Sequence, residues 1–143
     1  VKISENGIAF IKGFESCRLK AYRDSGGIWT VGFGSTGKDI GKETIWTQEQ
    51  ADDRFVKDLG VMETWVNKFV TVELTQNQFD ALVDFTYNCG PGALQHSHLL
   101  KELNAGNKEL AAAQFKRWAT VHGRVVDGLM KRRIMERNLF LKY

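Results

Sequence analysis

The chain has only two cysteines and three histidines. Cys17 and Cys89 lie far apart in sequence and are open to one disulfide or two buried thiols; nothing around them resembles a disulfide framework, which favours free thiols. The histidines show no ligand spacing, which argues against a metal site, and no cofactor is implied. No apolar run reaches the length of a membrane span and no signal peptide is visible, so stable membrane association is not expected. The chain starts at Val1 rather than Met, which leaves room for a processed or trimmed N-terminal segment. Repeats, low-complexity stretches and long linkers are also missing. Charge of one sign is scarce: 20 Lys and Arg against 17 Asp and Glu leave a formal charge of +3. That excess is too small to argue for nucleic acid. It suits approach to an acidic surface, with an attraction that weakens as salt rises.

What is present is ordinary for a globular domain: 143 residues, 43% of them hydrophobic, enough to bury a core without staples. Nothing suggests an assembly interface, so a monomer is expected.

The N-terminal stretch is the informative one. Ser4 is a good N-cap, and Ile8, Ile11 and Phe14 follow at helical spacing. At about 100° per residue, Glu15 falls between Ile8 and Ile11 on the same helix. A glutamate on an apolar face is either a solvated edge residue, like the neighbouring Lys12 and Glu5, or a desolvated carboxyl. A desolvated carboxyl holds its proton to higher pH, which is what a general acid needs. Two strands are expected next, at 19–23 and 28–34, around the turn Ser25-Gly26-Gly27. Trp29, Val31 and Phe33 form one face of the second strand and are core. Thr30 shares the other with Gly32 and Gly34, which either serve the backbone geometry or let a ligand approach closely.

Residues 38–46 read as a loop with room for a further short strand. Thr47-Gln48-Glu49-Gln50 is a capping box for a long helix with apolar positions Ala51, Phe55, Leu59, Met62, Val66 and Phe69, interrupted in composition only by Gly60. Thr75-Gln76-Asn77-Gln78 is a second box, opening a helix that Gly90 and the sole proline, Pro91, stop. Further helices are expected near 97–103, 108–118 and 129–141. The reading is therefore α+β: a small N-terminal lobe with a β-hairpin (about 1–46), a connecting helix (47–70) and a helical lobe (71–143), in a single domain.

The chain resembles the phage-type lysozymes, the endolysin family of peptidoglycan glycosidases, over essentially its whole length. Eight residues separate Glu15 from Asp24 and five separate Asp24 from Thr30, the family's catalytic spacing. Trp29-Thr30-Val31-Gly32-Phe33-Gly34 matches its strand motif. Gln78-Phe79-Asp80-Ala81-Leu82-Val83, Tyr87-Asn88-Cys89-Gly90, Ser97 with Leu99-Leu100, Leu103-Asn104-Ala105-Gly106 and Gly128-Leu129-Met130-Lys131-Arg132-Arg133 with Glu136-Arg137 follow in the family's order. The chain departs at Ser35, where the family usually has a supporting histidine.

The resemblance implies a lysozyme that hydrolyses the β-1,4 bond between N-acetylmuramic acid and N-acetylglucosamine at the bacterial cell wall. Glu15 would be the general acid, Asp24 the base or ion stabiliser, and Thr30 the residue that orients the attacking water. Ser35, Thr36, Tyr87, Asn88 and Ser97 are the candidate substrate contacts. Arg132 and Arg133 are candidates for orienting the acid, with a solvated basic face as their alternative. His96 and His98 flank Ser97 and are expected at the surface or in structural roles. The rival readings are a lytic transglycosylase and a wall-binding protein that has lost catalysis.

Overall fold

The computed structural model describes residues 1–142. Their backbone forms two compact units, Ile8–Val61 and, separately, Val1–Gly7 with the chain from Met62 onward.

The first unit is built on a hairpin. Strand β1 (Arg18–Arg23) pairs antiparallel with β2 (Trp29–Gly32), setting Tyr22 opposite Thr30 and Arg23 opposite Trp29, with an irregularity toward Arg18 and Gly32. The expected third segment is a single bridge, Lys20 to Ile45, flanked by Trp46 N–H to Leu19 O at 2.8 Å and Ala21 N–H to Thr44 O at 2.9 Å. Ala21, Val31 and Ile40 form the core here, with Trp29 and Trp46 packed on it. Strand β2 stops two residues before the sequence reading because Gly32 turns to a φ of 69°. The chain then doubles back, so that Val31 and Ser35 exchange backbone hydrogen bonds of 3.0 and 2.9 Å. A Cβ on Gly32 would lie 3.0 Å from the Trp46 ring. Of the two readings of that glycine, the structure selects close packing and backbone geometry over room for a ligand.

Helix α1 (Glu5–Lys12) begins where expected, with Ser4 Oγ accepting the Gly7 N–H at 2.9 Å. Ser4 also binds Asp80 through its hydroxyl and through its N–H, and Gln76 Nε2 donates to the same carboxylate at 2.7 Å. Gly7 is pressed against it: an added Cβ would sit 2.6 Å from Asp80 Cγ. Asp80, buried among apolar neighbours, is thus explained as the anchor of this N-terminus.

Helix α2 (Gln48–Phe69) opens with the expected capping box, Gln50 N–H to Thr47 Oγ1 at 3.1 Å and Thr47 N–H to Gln50 Oε1 at 2.8 Å. It runs through Gly60 without a break. Phe33 and Phe55 meet at a tilt of 39° with centroids 4.9 Å apart in the hairpin unit, with the Lys12 ammonium 5.0 Å above the Phe33 ring.

The second unit is helical around α3 (Gln76–Cys89), which is buried continuously from Gln78 to Thr86. It is opened by the Thr75 and Gln78 box and ended by Gly90. Then come α4 (Pro91–His96), α5 (His98–Asn104), α6 (Lys108–Gln114) and a 3-10 turn (Phe115–Trp118). A second hairpin, β3 (Thr120–Val121) with β4 (Arg124–Val125), precedes α7 (Asp127–Leu141), which packs on α3. Phe85, Phe115 and Phe140 meet edge to face at 5.5 to 5.8 Å. From residue 47 the chain is nearly all helical, as expected; α4 is a helix the sequence reading did not place, and the second hairpin is the departure. The missed signal was Val-His-Gly-Arg: His122 and Gly123 both adopt positive φ, as a tight hairpin turn requires. Asn104 closes the end of α2, accepting from Thr71 N–H and donating to Phe69 O, both at 2.9 Å. Among the described residues no helix is long and apolar enough to cross a membrane.

Candidate active site

Glu15 is not on a helix. Helix α1 ends at Lys12, and the chain tightens through Phe14 N–H to Ile11 O and Glu15 N–H to Lys12 O. These i to i−3 bonds wind the last turn more tightly and carry Glu15 beyond the helical face on which periodicity placed it. It stands, half-buried, on the short link into β1.

Asp24 heads the loop between β1 and β2. Its Oδ1 accepts N–H bonds from Gly26 at 2.8 Å and Ile28 at 2.9 Å, and its own N–H donates to Ile28 O at 3.0 Å. The loop is thus an Asx turn wrapped around its own carboxylate. The residue is exposed, and Oδ2 has no hydrogen bond among the described residues. Thr30, 4% exposed, donates its hydroxyl to that same Ile28 carbonyl at 2.9 Å. One backbone residue therefore fixes both side chains. With its proton committed, Thr30 Oγ1 can act toward a ligand only as an acceptor.

Ser35 is 1% exposed and gives its hydroxyl to Asp58 Oδ2 at 2.6 Å. Asp58 also receives Arg54 Nε at 3.0 Å, and the same guanidinium reaches Asp39 at 2.7 Å and Thr36 O at 2.8 Å. Ser35 therefore ties the turn after β2 to α2, and its hydroxyl is engaged by the fold. Thr36 is exposed, with its carbonyl held by Arg54. The Arg54 hydrogen bond is the main reason the Asp39 carboxyl lies below the usual range.

In the helical unit Tyr87 is half-buried and Asn88 exposed at the end of α3. Ser97 is buried and acts as a cap: its hydroxyl accepts from Leu100 N–H at 3.0 Å and donates to Leu94 O at 2.7 Å. Neither arginine is part of a solvated basic face; Lys131 alone of that run is exposed. Arg132 holds Asp84 through Nε at 3.2 Å and Nη2 at 2.5 Å. Arg133, fully buried, lies 5.3 Å over the Phe85 ring and donates to Cys89 Sγ, Trp118 O, Asn88 Oδ1 and Glu136 Oε2. Its Nε stands 2.6 Å from Glu136 Oε1 but out of line for a hydrogen bond, a charge contact only.

Sequence reasoning gave no role to Asp84 or Glu136, which are both 0% exposed and are the partners of those arginines. The available signal was a carboxylate inside an apolar helix and two arginines followed at helical spacing by a glutamate. Burial first, then the hydrogen bond and charge of Asp84, push Glu136 well above the usual carboxyl range, against the pull of Arg133 and Arg132. Burial likewise raises the Cys89 thiol. Both cysteines are free, Cys17 lying near Gln48.

Asn88, Ser97, Arg133, Gln114, Trp118 and Thr120 help to line an open cavity of about 460 Å³ in the helical unit, flanked by the exposed His96 and His98. Among the described residues no group of three or more His, Cys, Asp or Glu side chains could hold a metal ion.

The architecture is the lysozyme-like α+β fold. The family model described as "Phage lysozyme" matches residues 12–136, and the chain belongs to that family. The endolysin of Bacillus phage PZA is 44% identical over 142 residues, covering 98% of this chain and 55% of the relative. The endolysin of Salmonella phage P22 is 42% identical over 146 residues, covering 99% of each. Among solved structures, the muramidase domain of SpmX from Asticaccaulis excentricus superposes with a TM-score of 0.92 at 37% identity, covering 99% of each chain. The chain spans about half the length of the Bacillus phage relatives, 55% and 54%.

Proposed function

We propose that this chain is a peptidoglycan hydrolase that cleaves the β-1,4 bond between N-acetylmuramic acid and N-acetylglucosamine, acting as a monomer at the bacterial cell wall. The observation that carries this reading is the Asp24 loop. It is a rigid turn in which backbone N–H groups grip one carboxylate oxygen and leave the other available, while the Ile28 carbonyl fixes the Thr30 hydroxyl. Such a turn suits holding a water: Thr30 Oγ1 accepts a hydrogen bond from one of its O–H groups, and Asp24 Oδ2 takes the proton of the other as the water attacks. Glu15, nearby in sequence on the link into β1, protonates the leaving glycosidic oxygen. Positive charge developing on the sugar ring is stabilised by the Asp24 carboxylate. Arg132 and Arg133 act within the helical unit, on Asp84 and Glu136. Thr36, Tyr87 and Asn88 are the sugar contacts this reading retains. Ser35 and Ser97 serve the walls on which such contacts stand.

The water-holding turn favours hydrolysis over transglycosylation, in which a sugar hydroxyl completes the reaction. Mass spectrometry of digested walls separates the two: reducing ends with a water added are expected, and anhydro-sugar ends would overturn the hydrolase assignment. Thr30→Ala is expected to lower turnover roughly 10²-fold or more without loss of fold.

A further inference from the structure

Asn88 is an exposed amide whose two ends cannot be interchanged. Arg133 carries only donors, so the atom that meets its Nη2 at 2.8 Å must be the amide oxygen. Arg133 itself cannot turn to follow a flipped amide: it is fully buried, stacked over Phe85, and tied to Trp118 O and Glu136. Cys89 Sγ approaches the same Asn88 oxygen at 3.8 Å, again from the donor side. The Asn88 Nδ2 has no hydrogen bond among the described residues, and it belongs to an exposed side chain on the rim of the 460 Å³ cavity. The neighbouring Ser97 hydroxyl is already used in both directions by its cap.

We propose that Arg133 is a positioning residue that locks the Asn88 amide with its N–H₂ toward the cavity, so that this wall recognises a hydrogen-bond acceptor, namely an amide carbonyl. The inference rests on the glycosidase reading above. Two parts of peptidoglycan carry such a carbonyl: the acetamido group of the sugars and the peptide stem.

The test uses Asn88→Asp, which keeps the oxygen facing Arg133 and replaces the outward donor with an acceptor. KM for soluble peptidoglycan fragments is expected to rise about tenfold or more, with kcat and Tm little changed. Arg133→Lys, which loses the planar fork, should also raise KM, and that effect should vanish in an Asn88→Ala background. A KM for Asn88→Asp equal to the parent's, or an Arg133→Lys effect that persists without Asn88, overturns the proposal. Titration of the ¹⁵N-labelled parent with a chitooligosaccharide and, separately, with free stem peptide identifies the source: whichever shifts the Asn88 side-chain amide supplies the carbonyl, and a shift with neither is a second refutation. Failure of the glycosidase reading looks different, because the parent itself would then leave walls intact.

Discussion

The two units hold their polar side chains by opposite means. In the hairpin unit the exposed Asp24 and the buried Thr30 are fixed by backbone: two N–H groups for Asp24 and one carbonyl for Thr30. In the helical unit Asp84, Arg132, Arg133 and Glu136 lie in the interior and are fixed by one another. A backbone-held carboxylate keeps an oxygen for a ligand. A buried ion cluster has none to give, and its value is in fixing what it touches, here the end of α3. On the proposed reading, the first kind of side chain serves the reaction and the second kind serves the fold.

The comparison breaks most visibly if the buried cluster is cut on one side. Glu136→Ala strips the carboxylate from Arg133 and is expected to cost about 3–5 kcal/mol in chemical denaturation. A loss below 1 kcal/mol would mean that the cluster is not structural.

The pH response should also differ in sign. Glu136 is raised in the fold, so its contribution to stability is complete below the unfolded value of about 4.3 and is lost as pH rises through the raised one. Asp39 and Asp52 are lowered, chiefly by hydrogen bonds from Arg54 and Gln48. Their contribution is present above the unfolded value of about 3.9 and is lost as pH falls through the lowered one. Denaturation midpoints of the parent and Glu136→Gln across pH should diverge on the alkaline side, with the parent declining more. Parallel curves would contradict the assignment.

Smaller effects test the hairpin unit. Gly32→Ala forces a methyl to 3.0 Å from Trp46 at a φ of 69°, and about 1–3 kcal/mol of stability should go with it. Ser35→Ala removes one hydrogen bond to Asp58 while Arg54 stays, for a loss of about 1–2 kcal/mol and no change in KM. A KM change there would return Ser35 to the substrate wall.

What the sequence made legible was local chemistry. Ser4, Thr47 and Thr75 announced three helix starts because a cap is written in adjacent residues. The turn at Ser25-Gly26-Gly27 was legible for the same reason, whereas the link from Asp24 to Thr30 came from the spacing of the family the chain resembles. Glu15 was placed on a helix because periodicity does not register where the last turn tightens after Gly13. The buried cluster escaped because its members come from α3 and α7 and acquire meaning only when those helices pack. Ser35 was read as a wall residue because its partner, Asp58, lies 23 positions away on α2.

The most direct test of the central claim is clearing of purified bacterial walls by the parent and by Glu15→Gln, with matched Tm values as the control for fold. The parent is expected to clear them and the variant to fall by roughly 10²–10⁴-fold. Equal clearing by both would remove Glu15 as the acid, and no clearing by the parent would remove the enzyme.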